Sequence, residues 1–368
     1  MKKFLILALL SLYCLNSYGQ QKSGEQLIKS DTLSLKKVQL LALPILFYTP
    51  ETQLAFGAGA EIFLLRKKNR YNSRISSIMF GLIFTTQKQI TLDAKPEIYI
   101  QDGNYLLDID FKYKIFPNSF WGLGNDTPQD AEERYNMKSF EIQTAYLKRL
   151  PPYMNFGIEY IFQSHEVTEV VENGLLAAED IVGNTSIRNS GFGFVFNLDN
   201  RNSNIVPQSG YFLEYNAQFY NESFGADTNF YKYYFDLRKY FSLNKKSVIA
   251  LQLYTELSFG TVPFQLKAWY GGAERGRGYF RGRFIDNHMI LTQAEYRFRF
   301  LPRWEVTAFG TAGEVAALPS DFISDLKGSL GGGLRFQVNK KSPTLIRLDI
   351  GFGQEGNQGF YIGVNEVF

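Results

Sequence analysis

The sequence predicts an all-β chain, a transmembrane antiparallel β-barrel of about 16 strands. Three observations predict it. From Leu40 onward, segments of roughly ten to fourteen residues alternate apolar with polar and are separated by turn residues. The polar face of these segments is often charged, with more charge than a dry core could hold. The connections also differ in length, short at one end and long at the other, as in outer-membrane barrels with short periplasmic turns and long outer loops.

Taken in order, the chain opens on Lys2 and Lys3, followed by an apolar run from Phe4 to Leu15 that is too short to cross a bilayer as a helix. Ser17, Tyr18 and Gly19 offer a small-x-small cleavage site, so residues 1–19 read as a secretory signal peptide. Cys14, the one cysteine, lies inside it, and the bulky Tyr13 beside it argues against a lipoprotein site. The mature chain would then carry no disulfide and no thiolate. Residues 20–39 form a polar periplasmic leader with no room for a folded domain, and 40–368 form one barrel domain.

The predicted strands lie near 42–48, 53–66, 73–86, 88–101, 104–115, 138–150, 152–164, 187–198, 209–222, 227–242, 246–260, 288–300, 303–315, 327–339, 343–353 and 358–368. A strand sends successive side chains to opposite faces. Tyr105, Leu107, Ile109, Phe111, Tyr113 and Ile115 therefore share a greasy face, opposite Asp108, Asp110, Lys112 and Lys114. Tyr296 and Phe298 likewise oppose Glu295 and Arg297, and Leu348 and Ile350 oppose Arg347 and Asp349. In the last segment Phe360, Ile362, Val364 and Phe368 are expected on the lipid face. Long connections are expected at Pro117–Met137, His165–Thr185, Val262–Asn287 and Ala316–Asp325.

Composition narrows the function classes. Lys+Arg total 39; without the two in the signal segment that leaves 37 against 36 Asp+Glu, no basic excess for nucleic acid. A soluble sandwich also alternates, but the 16% aromatic content, the strand lengths and the absence of helical patterns favour lipid. Ser164 and His165 are sequence neighbours and cannot face one another along a strand as a catalytic pair would; His165 and His288 read as surface histidines. No catalytic set, cofactor or metal site is expected: there is no Cys/His cluster, and the acids of Asp126–Glu133 lack the glycine spacing of a calcium loop.

The stretch Trp269–Asn287, WYGGAERGRGYFRGRFIDN, has five glycines among Arg275, Arg277, Arg281 and Arg283 and joins two predicted strands. Loops of this length are usually functional or disordered. By itself it is compatible with an outward anion-binding loop, in which Arg275, Arg281 and Arg283 would matter as much as Arg277.

Four stretches together resemble the barrel domain of the BamA/TamA family, the bacterial surface antigens. They are Asp199-Asn200-Arg201 followed by Pro207 and Gly210; Gly271-Gly272 followed by Arg277-Gly278-Tyr279; Gly331, Gly333 and Arg335; and Arg347, Asp349 and Gly351 with the last strand, Gly363 and Phe368. The resemblance implies that the arginine-glycine-aromatic loop folds into the lumen and that its arginine, Arg277, pairs with acids on the wall. It also implies that a final strand ending in phenylalanine is read by barrel-assembly machinery. Thr311 stands where the family often has an acid, which leaves the inward-facing Glu295 and Asp349 as candidate partners of Arg277. On this reading Arg277→Ala disturbs the loop and Arg283→Ala does little. Members that insert or secrete proteins carry POTRA domains before the barrel; residues 20–39 have no room for one, so a barrel-only member is expected. The expected location is the outer membrane of a Gram-negative bacterium. Expected partners are outer-membrane lipid, with client outer-membrane proteins or separate POTRA-type periplasmic partners. Two functions fit, assembly or translocation of outer-membrane proteins, or a passive pore. A loosely paired seam between the first and last strands would favour the former, and Pro44, which cannot donate to a ladder, fits such a seam.

Overall fold

In the computed structural model, residues 38–64, 76–178, 181–338 and 344–368 are described. The expected signal peptide and the leader up to residue 37 lie outside them. Sixteen antiparallel strands close into one barrel: β1 (Val38–Thr49), β2 (Gln53–Leu64), β3 (Ser76–Thr85), β4 (Ile90–Ile100), β5 (Tyr105–Phe120), β6 (Glu133–Leu150), β7 (Met154–Glu169), β8 (Ser186–Asp199), β9 (Gly210–Tyr220), β10 (Phe230–Asn244), β11 (Ser247–Gly260), β14 (His288–Leu301), β15 (Trp304–Ala316), β16 (Lys327–Gln337), β17 (Leu345–Gly353) and β18 (Gln358–Val364). Two further strands, β12 (Ala268–Tyr270) and β13 (Phe284–Asp286), pair with each other inside the long loop between β11 and β14. Each barrel strand hydrogen-bonds both neighbours, which is what a lipid-exposed backbone requires. No described helix is long and apolar enough to cross a membrane; the strands do the crossing.

The faces follow the predicted register. On β14, Thr292, Ala294, Tyr296, Phe298 and Phe300 are exposed, whereas Gln293, Glu295 and Arg297 are buried. On β17, Leu348, Ile350 and Phe352 are exposed and Arg347, Asp349 and Gly351 buried. Outward residues meet acyl chains and inward ones meet one another, so buried charge collects in the lumen.

Three expectations need correction. First, β5 and β6 run into both ends of the expected loop Pro117–Met137, leaving 121–132 as the connection, and β7 continues to Glu169. These extensions do not alternate apolar with polar because they wall a packed cap instead of facing lipid. Phe120, Tyr135, Leu176, Ile181, Phe264 and Ile285 form its core. Secondly, the short and long connections are not fully segregated. Pro50–Thr52 is short although it lies at the end with the long loops, and residues 200–209 form a long turn at the other end. Thirdly, His165 and His288 are buried, not surface residues; His165 lies inside β7 on the lumen face.

The closure is uneven. β1 and β2 are in register over their whole lengths, from Val38↔Leu64 to Thr49↔Gln53. Across the seam, among the described residues, Tyr48↔Ile362 is the one registered pair between β1 and β18.

Candidate functional site

The loop between β11 and β14 enters the barrel mouth as a hairpin. β12 and β13 pair through Ala268↔Asp286, Trp269↔Ile285 and Tyr270↔Phe284. Ala268, Tyr270, Tyr279 and Phe284 pack with Tyr254, Met289, Leu291 and Val315 of the wall, an apolar core inside the lumen. The tip then has to reverse sharply several times. Gly271, Gly272, Gly276, Gly278 and Gly282 all take positive φ, 109°, 92°, 92°, 113° and 79°, a region that residues with a Cβ rarely occupy. Bonds from Gly271 N to Arg275 O (2.9 Å), Gly272 N to Tyr279 O (2.9 Å) and Tyr279 N to Gly276 O (3.1 Å) fasten the turns.

These turns drive Arg277 to the wall, where it is 0% exposed. Its Nη1 donates to Asp349 Oδ2 at 2.8 Å and its Nη2 to Glu295 Oε2 at 2.7 Å. Its Cζ lies 3.5 Å from the centroid of the Phe309 ring. A planar fork can hold two carboxylates and stack on a ring at once, which an ammonium cannot. The structure thus brings Arg277 to both candidate acids. The Thr311 hydroxyl has no hydrogen-bond partner among the described residues.

The two acids are shared. Glu295 Oε1 accepts from Arg297 Nε at 2.8 Å. Asp349 accepts from Arg335 Nη1, and Arg347 Nε lies 3.6 Å from it. Arg335 Nε also donates to Glu366 Oε2 at 2.9 Å. Four guanidinium groups (277, 297, 335 and 347) therefore meet three carboxylates (295, 349 and 366) on the lumen wall. Burying charge is tolerable only with such compensation. The glycines of β16 make room for it. A Cβ on Gly333 would stand 2.0 Å from Asp349 Oδ1, and one on Gly331 would stand 2.2 Å from the Phe309 ring that supports Arg277.

The remaining loop arginines differ from one another. Arg275 Cζ lies 3.8 Å from the Tyr254 ring centroid, inside the lumen. Arg283 donates from Nη1 and Nη2 to Thr127 Oγ1 and Thr127 O, both at 2.7 Å, tying the loop to the β5–β6 cap. Its pKa is lowered by burial, with Glu355 and Tyr279 opposing. Burial lowers that of Lys267 as well, opposed by Asp286. Arg281 alone of the four is exposed. The outward anion-binding arrangement is not what the structure holds.

At the opposite end the chain closes a second time. Asp199 and Arg201 form a fork, Nε to Oδ1 at 2.9 Å and Nη2 to Oδ2 at 2.8 Å, with Arg201 over the Phe212 ring. Gly210, φ 103°, lets this turn fold tightly, since a Cβ there would stand 2.6 Å from Asn200 O. The turn presents Pro207 O to Arg297 Nη1 at 3.2 Å. Arg297 Nη2 donates to Phe368 O at 2.8 Å. Phe368 is therefore not on the lipid face with Phe360, Ile362 and Val364. It is 3% exposed and packs inside against Tyr240 and Ala250. The reason is local: β18 ends at Val364 and Asn365, φ 60°, turns the chain inward. Gly363 leaves room beneath β18 for Arg347, whose Nη2 would lie 3.1 Å from a Cβ there. Arg277, Glu295 and Asp349, which the resemblance singled out, lie together here. The pairing of Arg335 with Asp349 and with Glu366 was not expected from the sequence, and Glu366, beyond the end of β18, carried no strand-face signal.

No curated protein matches the chain. Among solved structures, similarity extends to BamA from Haemophilus ducreyi lacking POTRA domains 1-3, with a TM-score of 0.64 and 14% identity over 90% of this chain and 70% of that one. CdiB from Acinetobacter baumannii gives 0.58 and 12% over 90% of this chain and 60% of that one; CdiB from Escherichia coli gives 0.59 and 10% over 90% and 63%. The chain thus spans less than two thirds of either CdiB, and identities this low establish a shared fold. The family model of the Omp85 superfamily domain matches residues 80–368, from mid-β3 through the plugging loop to the final phenylalanine, and the chain belongs to that superfamily.

Proposed function

We propose that the protein is an outer-membrane barrel that assembles or translocates other outer-membrane proteins, and that the seam between β1 and β18 is its working edge. The observation that carries this reading is the uneven closure: one registered pair at the seam against twelve between β1 and β2. Unpaired strand edges accept other strands, and a seam with few hydrogen bonds opens at low cost. The lumen supports it from the other side, because a loop fastened in its mouth by fully buried ion pairs argues against a wide open channel. On this reading the plugging loop lies on the outer side and the Asp199–Gly210 turn on the periplasmic side. Client outer-membrane proteins, and separate periplasmic partners of the POTRA type, are the partners this reading requires. No residue set in the barrel is read as catalytic.

A seam lock tests it. Paired strand positions have Cα atoms about 4.5–5.5 Å apart, within disulfide range. Tyr48→Cys with Ile362→Cys should form a disulfide that abolishes assembly of client barrels in proteoliposomes, and reductant should restore it. Full activity in the oxidised protein would overturn the reading. Ion conductance in place of any assembly activity would establish the passive pore instead.

A further inference from the structure

We propose that the plugging loop is a cross-brace of the seam, gripping one edge through Glu51 and the other through Tyr361. Arg277 does not do this: its carboxylates lie on β14 and on β17, the inner neighbour of β18, and on neither of the two seam strands. Two other contacts reach the seam itself.

The first is at the β1–β2 hairpin. Glu51 is 9% exposed, and its Oε1 accepts from the backbone N–H of Arg281 at 2.6 Å, a charge-assisted bond. The hairpin cannot simply follow the loop, because Gln89 Nε2 donates to Glu51 O at 2.9 Å and to Pro117 O at 3.0 Å. That amide fixes the hairpin to β5.

The second contact is on β18. Tyr361 is 0% exposed. Its hydroxyl accepts from Gly278 N–H at 3.0 Å and donates to Tyr279 O at 3.3 Å. A Cβ on Gly359 would lie 2.3 Å from that hydroxyl, so the glycine keeps the position open for it. Beside it, Gly351 of β17 lets the loop backbone rest directly on the wall: a Cβ there would lie 2.8 Å from Arg277 C and Gly278 N.

Gly278 and Arg281 are three residues apart, so this strap spans at most about 11 Å when fully extended. β1 and β18 share one registered pair. They cannot part at this end without breaking the bond to Glu51 or the bonds to Tyr361. The loop supplies the connection that the ladder lacks. The inference rests on the functional reading only for what the opening serves.

The test uses the full chain, folded into vesicles, with Tyr48→Cys and Ile362→Cys as the reporter pair; Cys14, the one native cysteine, lies in the expected signal segment. Disulfide formation under mild oxidant reports seam pairing, and hydrogen exchange over 38–49 and 358–364 reports it independently. Glu51→Ala and Tyr361→Phe should each slow cross-linking about fivefold, the effect of losing one good hydrogen bond, and raise exchange in both strands but not in β5 and β6. Glu51→Gln, which keeps an acceptor oxygen, should retain most of the pairing. Arg283→Ala, which frees the loop from Thr127 on the far side, should leave the seam unchanged. Cross-linking at the wild-type rate in folded Tyr361→Phe and Glu51→Ala would overturn the proposal, as would equal loosening by Arg283→Ala. If Glu51→Ala does not fold, Tyr361→Phe decides, since it removes one oxygen. A seam that loosens in these variants while the oxidised lock leaves assembly intact would keep the brace and remove the function.

Discussion

Arg277 stands among groups that compensate one another, and that sets the cost of changing it. Removing one partner of a buried ion pair costs about 3–5 kcal/mol. Here the loss should fall below that, because Glu295 keeps Arg297 and Asp349 keeps Arg335. Arg277→Ala is expected to lower the temperature at which the compact band converts to the extended one on detergent gels. Arg277→Lys should not rescue it, since a point charge reaches one carboxylate and not two. Gly333→Ala tests the same network from the wall. Its Cβ would collide with Asp349 Oδ1, and overpacking of this kind costs about 1–3 kcal/mol. A lowered urea midpoint is the expected result; an unchanged one would mean that Asp349 can move away from Arg335 freely. Arg283 carries more than its sequence context implied. Both of its terminal nitrogens are bonded to Thr127, so Arg283→Ala should raise protease cleavage within 121–132 while leaving the seam alone.

At the level of elements, strand register determines which substitutions the membrane feels. On β14 the lipid-facing positions run from Thr292 near the loop end to Phe300 near the turn end. Arginine at Ala294 or Tyr296 should cost roughly 2–4 kcal/mol, and at Phe300 about 0–1 kcal/mol, because the penalty fades toward the interface. Unfolding from vesicles in guanidinium would give this gradient, and a flat profile would mean that β14 is not membrane-spanning in this register. Inward neighbours behave differently. Arg297, one residue from Tyr296, holds Glu295, Pro207 O and Phe368 O at once, so Arg297→Ala is expected to be costly in detergent and lipid alike. Alternation made the faces legible. The upper parts of β5, β6 and β7 were not legible, because strands that rise above the bilayer face water and a loop cap, and carry no apolar stripe.

For the whole molecule, segments of the chain enter the lumen at both ends: the β12–β13 hairpin with its tip at one, and the 200–209 turn with Phe368 at the other. Deleting residues 272–281 should therefore convert a poorly conducting barrel into a clear channel in planar bilayers. An equally small conductance after deletion would place the barrier elsewhere in the lumen.

The sequence by itself determined the approximate strand count, the faces of most strands and the backbone freedom of the glycine-arginine loop; the inward course of that loop was implied by the family resemblance and not by the residues alone. The first three depend on period and on local backbone freedom, which a linear pattern records: alternation separates lipid from lumen, and five glycines permit the turns. Once the resemblance sent the loop inward, the inward-facing Glu295 and Asp349 became the candidate partners of Arg277, because Thr311 stands where the family often has an acid. Only the tertiary structure decided that both acids serve, that Arg335 and Glu366 join them, that Phe368 turns inside, and that Glu51 meets Arg281 across 230 positions of sequence. Contacts of this kind depend on barrel closure, which brings the first hairpin beside a loop far along the chain. No local pattern encodes that proximity; it follows from sixteen strands returning on themselves.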